Sequence, residues 1–224
     1  MKKSYLILII LTYIAMGVGL YAAFLYAPTE RTMGDVQRIF YFHVPSAWVA
    51  FLAFFVVFVA SIAFLRTGKR SWDRLAFCSA EIGVLFITLV LLTGPLWAKP
   101  VWNVYWTWDA RLTTSFILWL IYIAYLMLRR YIPDPERGAR LAAVFGIVGF
   151  VDVPIVYMSI RWWRTLHPNA VVMGDEGSGL APPMLTTLMI GLGAFTILYI
   201  TLMVLRVQTV KLEESVKKLK AQYS

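Results

Sequence analysis

Six long apolar blocks dominate the pattern of hydrophobic and polar positions along the chain. They cover about residues 5–26, 46–65, 76–97, 113–128, 141–160 and 183–205. A helix needs about 20 apolar residues to cross a bilayer, and it satisfies its own backbone hydrogen bonds inside lipid. The pattern therefore predicts an all-α membrane protein, a bundle of six transmembrane helices over residues 1–205, followed by a basic tail over residues 206–224.

The composition agrees with this class. Hydrophobic residues make up 60% of the 224 positions and charged residues 15%, whereas ordinary soluble domains carry roughly 25% charged residues. The single cysteine, Cys78, excludes a disulfide framework and a CxxCH motif, and we interpret it as a packing residue. The first block is longer than a typical signal-peptide core and no clear cleavage site follows it, so we expect it to be retained as the first span.

Positive charges between the blocks predict the orientation. Lys and Arg gather at the N-terminus, in the second and fourth connections and in the tail, and are fewer in the other three connections. Because positive residues mark the cytoplasmic side, we expect both termini in the cytoplasm and the first, third and fifth connections on the outer face. The excess of positive charge, +9, is then explained by Lys and Arg on the cytoplasmic side, where they are attracted to anionic membrane lipid. It does not indicate nucleic acid as a partner.

The third connection holds the least ordinary stretch of the chain, residues 102–113, which read WNVYWTWDARLT. If this stretch is helical, Trp102 and Trp106 fall one turn apart on one face, with Tyr105 and Trp108 beside them. An aromatic belt at the bilayer surface is the alternative interpretation. A belt needs only scattered aromatic residues, whereas so dense a run would hold a flat apolar macrocycle well.

Two charged residues stand where this stretch enters the fourth block. Asp109 suits the N-cap of a helix, and Arg111 could pair with a carboxylate through two parallel hydrogen bonds. The candidates for binding the carboxylates of a ligand on the outer face are Arg38, Arg111, Arg161 and Arg164. Their spacing does not rank them.

Both histidines of the chain fall in predicted outer connections. His43 precedes Pro45 near the start of the second span, and His167 precedes Pro168 in the fifth connection. A lone histidine at such a position is more often a hydrogen-bonding residue than a ligand. Two imidazoles without nearby cysteines or acids make a poor zinc site, but they make a complete axial pair for one haem iron. We therefore predict His43 and His167 as its metal ligands.

Two acidic residues lie inside predicted spans. Glu81 is near the cytoplasmic end of the third span, and Asp152 is in the middle of the fifth, close to Pro154. Intramembrane acids are costly and often functional. The sequence identifies no partner for either, so a structural and a functional interpretation both stay open.

With these features together, the chain closely resembles the haem-handling proteins of cytochrome c biogenesis. Their shared signature is a WGxxWxWDxR-type loop on the outer face, flanked by histidines in neighbouring loops. The ending WDARLT is similar to that of the CcmC (haem exporter protein C) family, and the likeness covers nearly the whole chain. One position departs from the signature, since Asn103 stands where glycine is usual. Asparagine tolerates left-handed backbone, so we expect the turn to survive.

The resemblance implies a role for each matching residue. It implies that His43 and His167 are the axial ligands of haem b, that Trp102, Trp106 and Trp108 form the platform, and that Asp109 and Arg111 belong to the same motif. It also implies a carrier or transfer protein of the bacterial inner membrane rather than a turnover enzyme. Such a protein binds haem on the periplasmic face and presents it to the haem chaperone CcmE. An ATP-binding-cassette pair, CcmA and CcmB, and a one-span subunit, CcmD, are the expected partners.

Two other classes of membrane protein compete with this interpretation. A cytochrome b-like redox subunit would place histidines within spans on both sides of the bilayer. A solute permease would show repeated halves and a polar pathway through its spans, and the sequence has neither. Whether haem itself crosses the membrane through this protein does not follow from the residues.

Overall fold

The described part of the chain is helical apart from its connections. The computed structural model describes residues 3–163, 165, 167 and 179–223. Seven α-helices follow in order: α1 Lys3–Tyr21, α2 Phe40–Thr67, α3 Arg70–Trp102, α4 Ala110–Tyr131, α5 Pro135–Phe150, α6 Asp152–Trp162 and α7 Pro182–Tyr223. A π-helical turn, Ala22–Tyr26, continues α1, and a 3₁₀ turn, Asp35–Ile39, precedes α2.

Within the residues that the structure describes, six helical segments are long and apolar enough to cross a membrane, which confirms the predicted all-α, six-span architecture. The segments extend beyond the apolar blocks, because polar residues at their ends remain helical. The fifth segment is two helices, α5 and α6, that meet at Val151, where a single block was predicted. Pro154 accounts for the break, since it has no N–H for the carbonyl of Phe150 and its ring crowds that carbonyl.

The most extensive helix interface joins α2 and α3, and a glycine permits it. A Cβ atom added to Gly83 would lie 2.5 Å from Cε1 of Phe54 and 3.2 Å from Cβ of Ala53. Phe54 is fully buried, and its ring stacks on Tyr122 with 3.7 Å between centroids. The ring therefore has no room to retreat, and the close approach of α2 and α3 requires glycine at position 83.

Ion pairs join the helices at the end of the bundle that holds the α2–α3 connection. Arg206 of α7 donates two hydrogen bonds to Glu81 of α3, at 2.7 and 3.0 Å. Glu81 thus has a partner that the sequence did not identify, and this contact supports its structural interpretation. Arg129 pairs in the same way with Asp73. Six crossings place both ends of the bundle's chain and the α2–α3 and α4–α5 connections at this end, and the remaining three connections at the opposite end.

Gly83→Ala is expected to destabilise the protein by about 1–3 kcal/mol, because the added methyl group overpacks an interface that cannot relax. Gly17→Ala is the matched control, since a Cβ atom at Gly17, on α1, meets nothing within 4 Å. Thermal unfolding of the two purified variants in detergent checks the prediction. Equal unfolding midpoints for both would contradict the account of this interface.

Candidate functional site

His43 lies in the first turn of α2 and is buried, with 8% of its surface exposed. Its Nδ1 atom is 2.8 Å from the hydroxyl oxygen of Thr93 on α3. That hydroxyl donates its single hydrogen to the carbonyl of Leu89, at 2.7 Å. This bond favours Thr93 as the acceptor from Nδ1–H of His43. In this tautomer the lone pair of the imidazole is on Nε2, the nitrogen that can bind a metal ion.

Aromatic rings connect His43 to the tryptophan-rich stretch. The centroid of Trp97 is 6.1 Å from that of His43 and 6.1 Å from that of Trp102. Phe40 packs on the other side of Trp97, at 5.9 Å. Gly94 stands beside the imidazole, since a Cβ atom there would lie 3.5 Å from Cε1 of His43. The imidazole is thus held in place by α3 on one side and by aromatic rings on the other.

A partly open cavity of about 80 Å³ lies at the end of the bundle that holds His43. Its lining includes both histidines together with Trp102, Trp106 and Arg111. His167 reaches the cavity from the connection between α6 and α7, where its backbone N–H donates to the hydroxyl of Thr165 at 2.8 Å. Residues from α2, α3, α4, α6 and two of the connections thus line a single cavity.

Asn103 makes the turn at which α3 ends. Its φ angle is +59°, in the left-handed region, and it is the only described residue other than glycine with a positive φ. The ammonium group of Lys99 donates to the backbone oxygen and to the side-chain oxygen of Asn103, at 3.1 and 3.0 Å. This confirms the expectation that asparagine preserves the turn where glycine is usual.

The tryptophan stretch is not a helix beyond Trp102, so the expected shared helical face of Trp102 and Trp106 is wrong. The left-handed residue ends α3, and α4 begins only at Ala110. Trp106 instead packs edge-on against Trp108, with centroids 5.5 Å apart. Trp108 is 73% exposed and does not line the cavity.

Asp109 and Arg111 line the cavity, and both also form hydrogen bonds that stabilise the surrounding helices. The Asp109 carboxylate accepts from the backbone N–H of Leu112 at 3.0 Å, which confirms its interpretation as the N-cap of α4. Arg111 donates through Nη1 to the carbonyl of Val156 at 2.5 Å. Because Val156 belongs to α6, Arg111 joins α4 to α6 across the cavity wall.

Of the other candidate arginines, the two that the structure describes, Arg38 and Arg161, do not line the cavity. Arg38 donates through Nη1 to the carbonyls of Ala23 and Ala27, at 2.5 and 3.4 Å, so it joins the segment before α2 to the end of the first span. Arg161 lies with its guanidinium carbon 6.0 Å from the ring centroid of Tyr157. Arg164 is outside the described residues. The contacts of Arg38 favour a structural role, and its contact with a ligand stays a prediction.

Several residues of the site were not singled out in the sequence. Thr93, Gly94 and Trp97 share the last turns of α3, and the single signal for them was the clustering of aromatic residues from Trp97 onward. The indole nitrogens of Trp97 and Trp106 are buried and have no hydrogen-bond partner among the described residues. Both tryptophans line the cavity, so two buried donors stand in its wall.

Asp152, the second intramembrane acid, lies at the start of α6. Its Oδ2 atom is buried and has no hydrogen-bond partner among residues 3–163, 165, 167 and 179–223. Asp152 does not line the cavity. Its role stays open.

Within the part of the chain that the structure describes, no group of three or more His, Cys, Asp or Glu side chains could hold a metal ion. The protein supplies two imidazoles and aromatic walls.

These features define a six-span membrane protein with a cavity lined by two histidines and two or more tryptophans at one end of the bundle. The sequence profile of the family described as "Heme exporter protein C" (CcmC) matches residues 1–222. The chain belongs to this haem exporter protein C family of cytochrome c biogenesis, which confirms the resemblance drawn from the WDARLT motif.

Three relatives show how far the similarity extends, and each is described as "Heme exporter protein C". The protein of Bradyrhizobium diazoefficiens is 42% identical over 191 residues, 85% of this chain and 72% of the relative. That of Haemophilus influenzae is 34% identical over 208 residues, 93% of this chain and 85% of the relative. That of Escherichia coli K12 is 30% identical over 201 residues, 90% of this chain and 81% of the relative.

Thr93→Val is expected to let the His43 proton occupy either ring nitrogen, because valine removes the oxygen that accepts from Nδ1–H. Solid-state ¹⁵N NMR of protein labelled at histidine distinguishes a protonated Nδ1 from a protonated Nε2. Thr88→Val is the matched control, since Thr88 is on the same helix and likewise donates to a backbone carbonyl, at 2.7 Å. A wild-type spectrum with the His43 proton on Nε2 would contradict the assignment.

Proposed function

We propose that this protein binds one haem b through His43 and His167 and transfers it to the haem chaperone CcmE during cytochrome c biogenesis. The observation that carries the proposal is that the only two histidines of the chain, from elements far apart in sequence, line one cavity together with Trp102 and Trp106. The haem is the cargo of the protein, and the proposed activity is its binding and release.

The residues around the cavity match the three chemically different parts of haem, which are the iron, the ring and the propionates. The iron takes two axial nitrogens, and two imidazoles supply them. The flat apolar ring takes aromatic walls, which Trp97, Trp102 and Trp106 provide. The two propionates take cationic or N–H donors. Arg111 and the unpartnered indole N–H groups of Trp97 and Trp106 are donors in the same wall, so we propose that they hold the propionates.

Binding by two histidines also explains why a carrier is the better proposal than an enzyme. Haem enzymes that act on oxygen or peroxide keep one axial position open for that reactant. Two imidazoles would fill both positions and keep the iron inert during transfer. Both histidines would serve one iron, so a redox subunit that relays electrons between two haems has no support from the described residues.

We further propose the orientation and the partners. The Lys and Arg distribution favours cytoplasmic termini, which would place the cavity on the periplasmic side of the bacterial inner membrane. The exposed indole of Trp108, at 73%, lies on that surface next to the cavity, where CcmE would receive the haem. CcmA, CcmB and CcmD are the partners that the family membership suggests, and ATP hydrolysis would be supplied by CcmA.

His43→Ala and His167→Ala are each expected to convert the bound haem from a six-coordinate, low-spin state to a five-coordinate or weakly bound state, because each variant loses one axial nitrogen. Absorption spectra of the purified, haem-loaded protein check the prediction. We expect the affinity to fall about tenfold or more.

Free imidazole provides the control for these two variants. Imidazole diffuses into the space left by the truncated side chain, so it should restore the low-spin spectrum without changing the rest of the protein. Unchanged spectra in both variants would show that the axial assignment is wrong. Lost haem that imidazole does not restore would show that the variants act through folding.

A further inference from the structure

A second, larger open cavity adjoins the histidine site. Its volume is about 1290 Å³, and it lies between α2, α7 and the connection that precedes α2. Both histidines, Trp97 and Arg111 line this second cavity as well as the first. The two spaces therefore meet at the proposed axial ligands, and an object in the second cavity has direct access to both imidazoles.

The mouth of the second cavity lies within the spans. One helix face of α2 and one of α7 form its sides, with Val44, Ala47, Trp48 and Phe51 on the first and Met189, Gly193 and Thr196 on the second. Trp48 lies about 12 Å along the helix axis from the start of α2 at Phe40. It is 45% exposed and Met189 is 54% exposed. Both side chains line an open cavity between two spans, so we expect its mouth to face the bilayer.

A single hydrogen bond and a glycine shape this mouth. The indole nitrogen of Trp48 donates to the hydroxyl oxygen of Thr196 at 3.0 Å, joining α2 to α7. One turn away, Gly193 is exposed, and a Cβ atom there would meet nothing within 4 Å. The groove is thus open at Gly193 and is bridged at its edge by a contact between two side chains that can rotate apart.

The polarity of the groove changes along its length. Its walls between the helices are apolar, whereas Thr29, Glu30, Arg31 and Gln37 line its end at the membrane surface. The Glu30 carboxylate is engaged by the backbone N–H groups of Met33 and Thr32, and these bonds hold its pKa below the ordinary value. The Gln37 Nε2 donor is buried without a partner among the described residues. An apolar length with the cation of Arg31 at its outer end suits a flat amphiphile with carboxylates at one edge.

We propose that the groove between α2 and α7 is a lateral portal through which haem passes between the adjacent leaflet of the bilayer and the histidine site. The inference rests on the proposed function, since it takes haem as the ligand of that site. The ring slides between the two helices with its propionates toward Arg31, and the Trp48–Thr196 contact opens to admit it. Arg31 accordingly forms an ion pair with the propionates during entry.

Gly193→Trp tests the portal, because Gly193 lines the groove and a Cβ atom there meets nothing within 4 Å, so an indole at that position would narrow the opening. Gly17→Trp is the matched control, as Gly17 is also an exposed glycine of a span with nothing within 4 Å of its Cβ position. Wild-type and variant proteins in phospholipid vesicles are mixed with vesicles that carry haem, and the growth of the Soret band is followed. We expect loading and release to slow roughly tenfold or more in Gly193→Trp alone, with an unchanged dissociation constant.

A reversible crosslink gives a second test in one protein. Trp48→Cys and Thr196→Cys place two thiols across the mouth, and the native Cys78 is buried. A bifunctional thiosulfonate should stop loading from vesicles, and a reductant should restore it.

Equal loading with and without the crosslink, or equal slowing by Gly193→Trp and Gly17→Trp, would overturn the portal. A weakened equilibrium affinity with unchanged loading would make the groove part of the binding site instead. Failure of the wild-type protein to take up haem at all would contradict the proposed function rather than the portal.

Discussion

The close contact of α2 with α3 is the constraint on which the rest of the structure depends. Gly83 allows the two helices to approach until Phe54 lies where a larger residue would clash. The approach brings the first turn of α2 beside the last turns of α3, and so it places the imidazole of His43 against the hydroxyl of Thr93. A wider spacing would leave the imidazole free to rotate and its tautomer undetermined.

The remainder of the site is added to this helix pair by contacts between distant parts of the chain. Arg111 fixes the start of α4 to α6 through the carbonyl of Val156, and α6 leads into the connection that carries His167. Arg38 fixes the end of the first span beside the start of α2. These two arginines therefore act on the shape of the cavity, whether or not either also contacts its ligand. At the opposite end of the bundle, charged side chains form ion pairs with one another, such as Arg206 with Glu81.

The sequence predicts the parts of this architecture that depend on local chemistry. Apolar length determines the spans, an aspartate before Ala110 determines the start of α4, and an asparagine with access to left-handed backbone determines the end of α3. The contacts that depend on distant partners could not be predicted in this way. Nothing near Glu81 in sequence identifies Arg206 as its partner, and nothing near His43 identifies Thr93. The break at Val151 was missed because hydropathy continues through Pro154, although proline interrupts the backbone hydrogen bonds there.

The central claim is that both histidines bind the same iron at the same time. The chain contains only His43 and His167, so incorporation of ¹⁵N-histidine labels the two proposed ligands and no other residue, while the porphyrin nitrogens stay ¹⁴N. Pulsed electron paramagnetic resonance of the ferric, haem-loaded wild-type protein then counts the labelled axial nitrogens. The account predicts a low-spin signal with strong hyperfine couplings from two ¹⁵N nuclei. A signal with one coupled ¹⁵N nucleus, or with none, would contradict it.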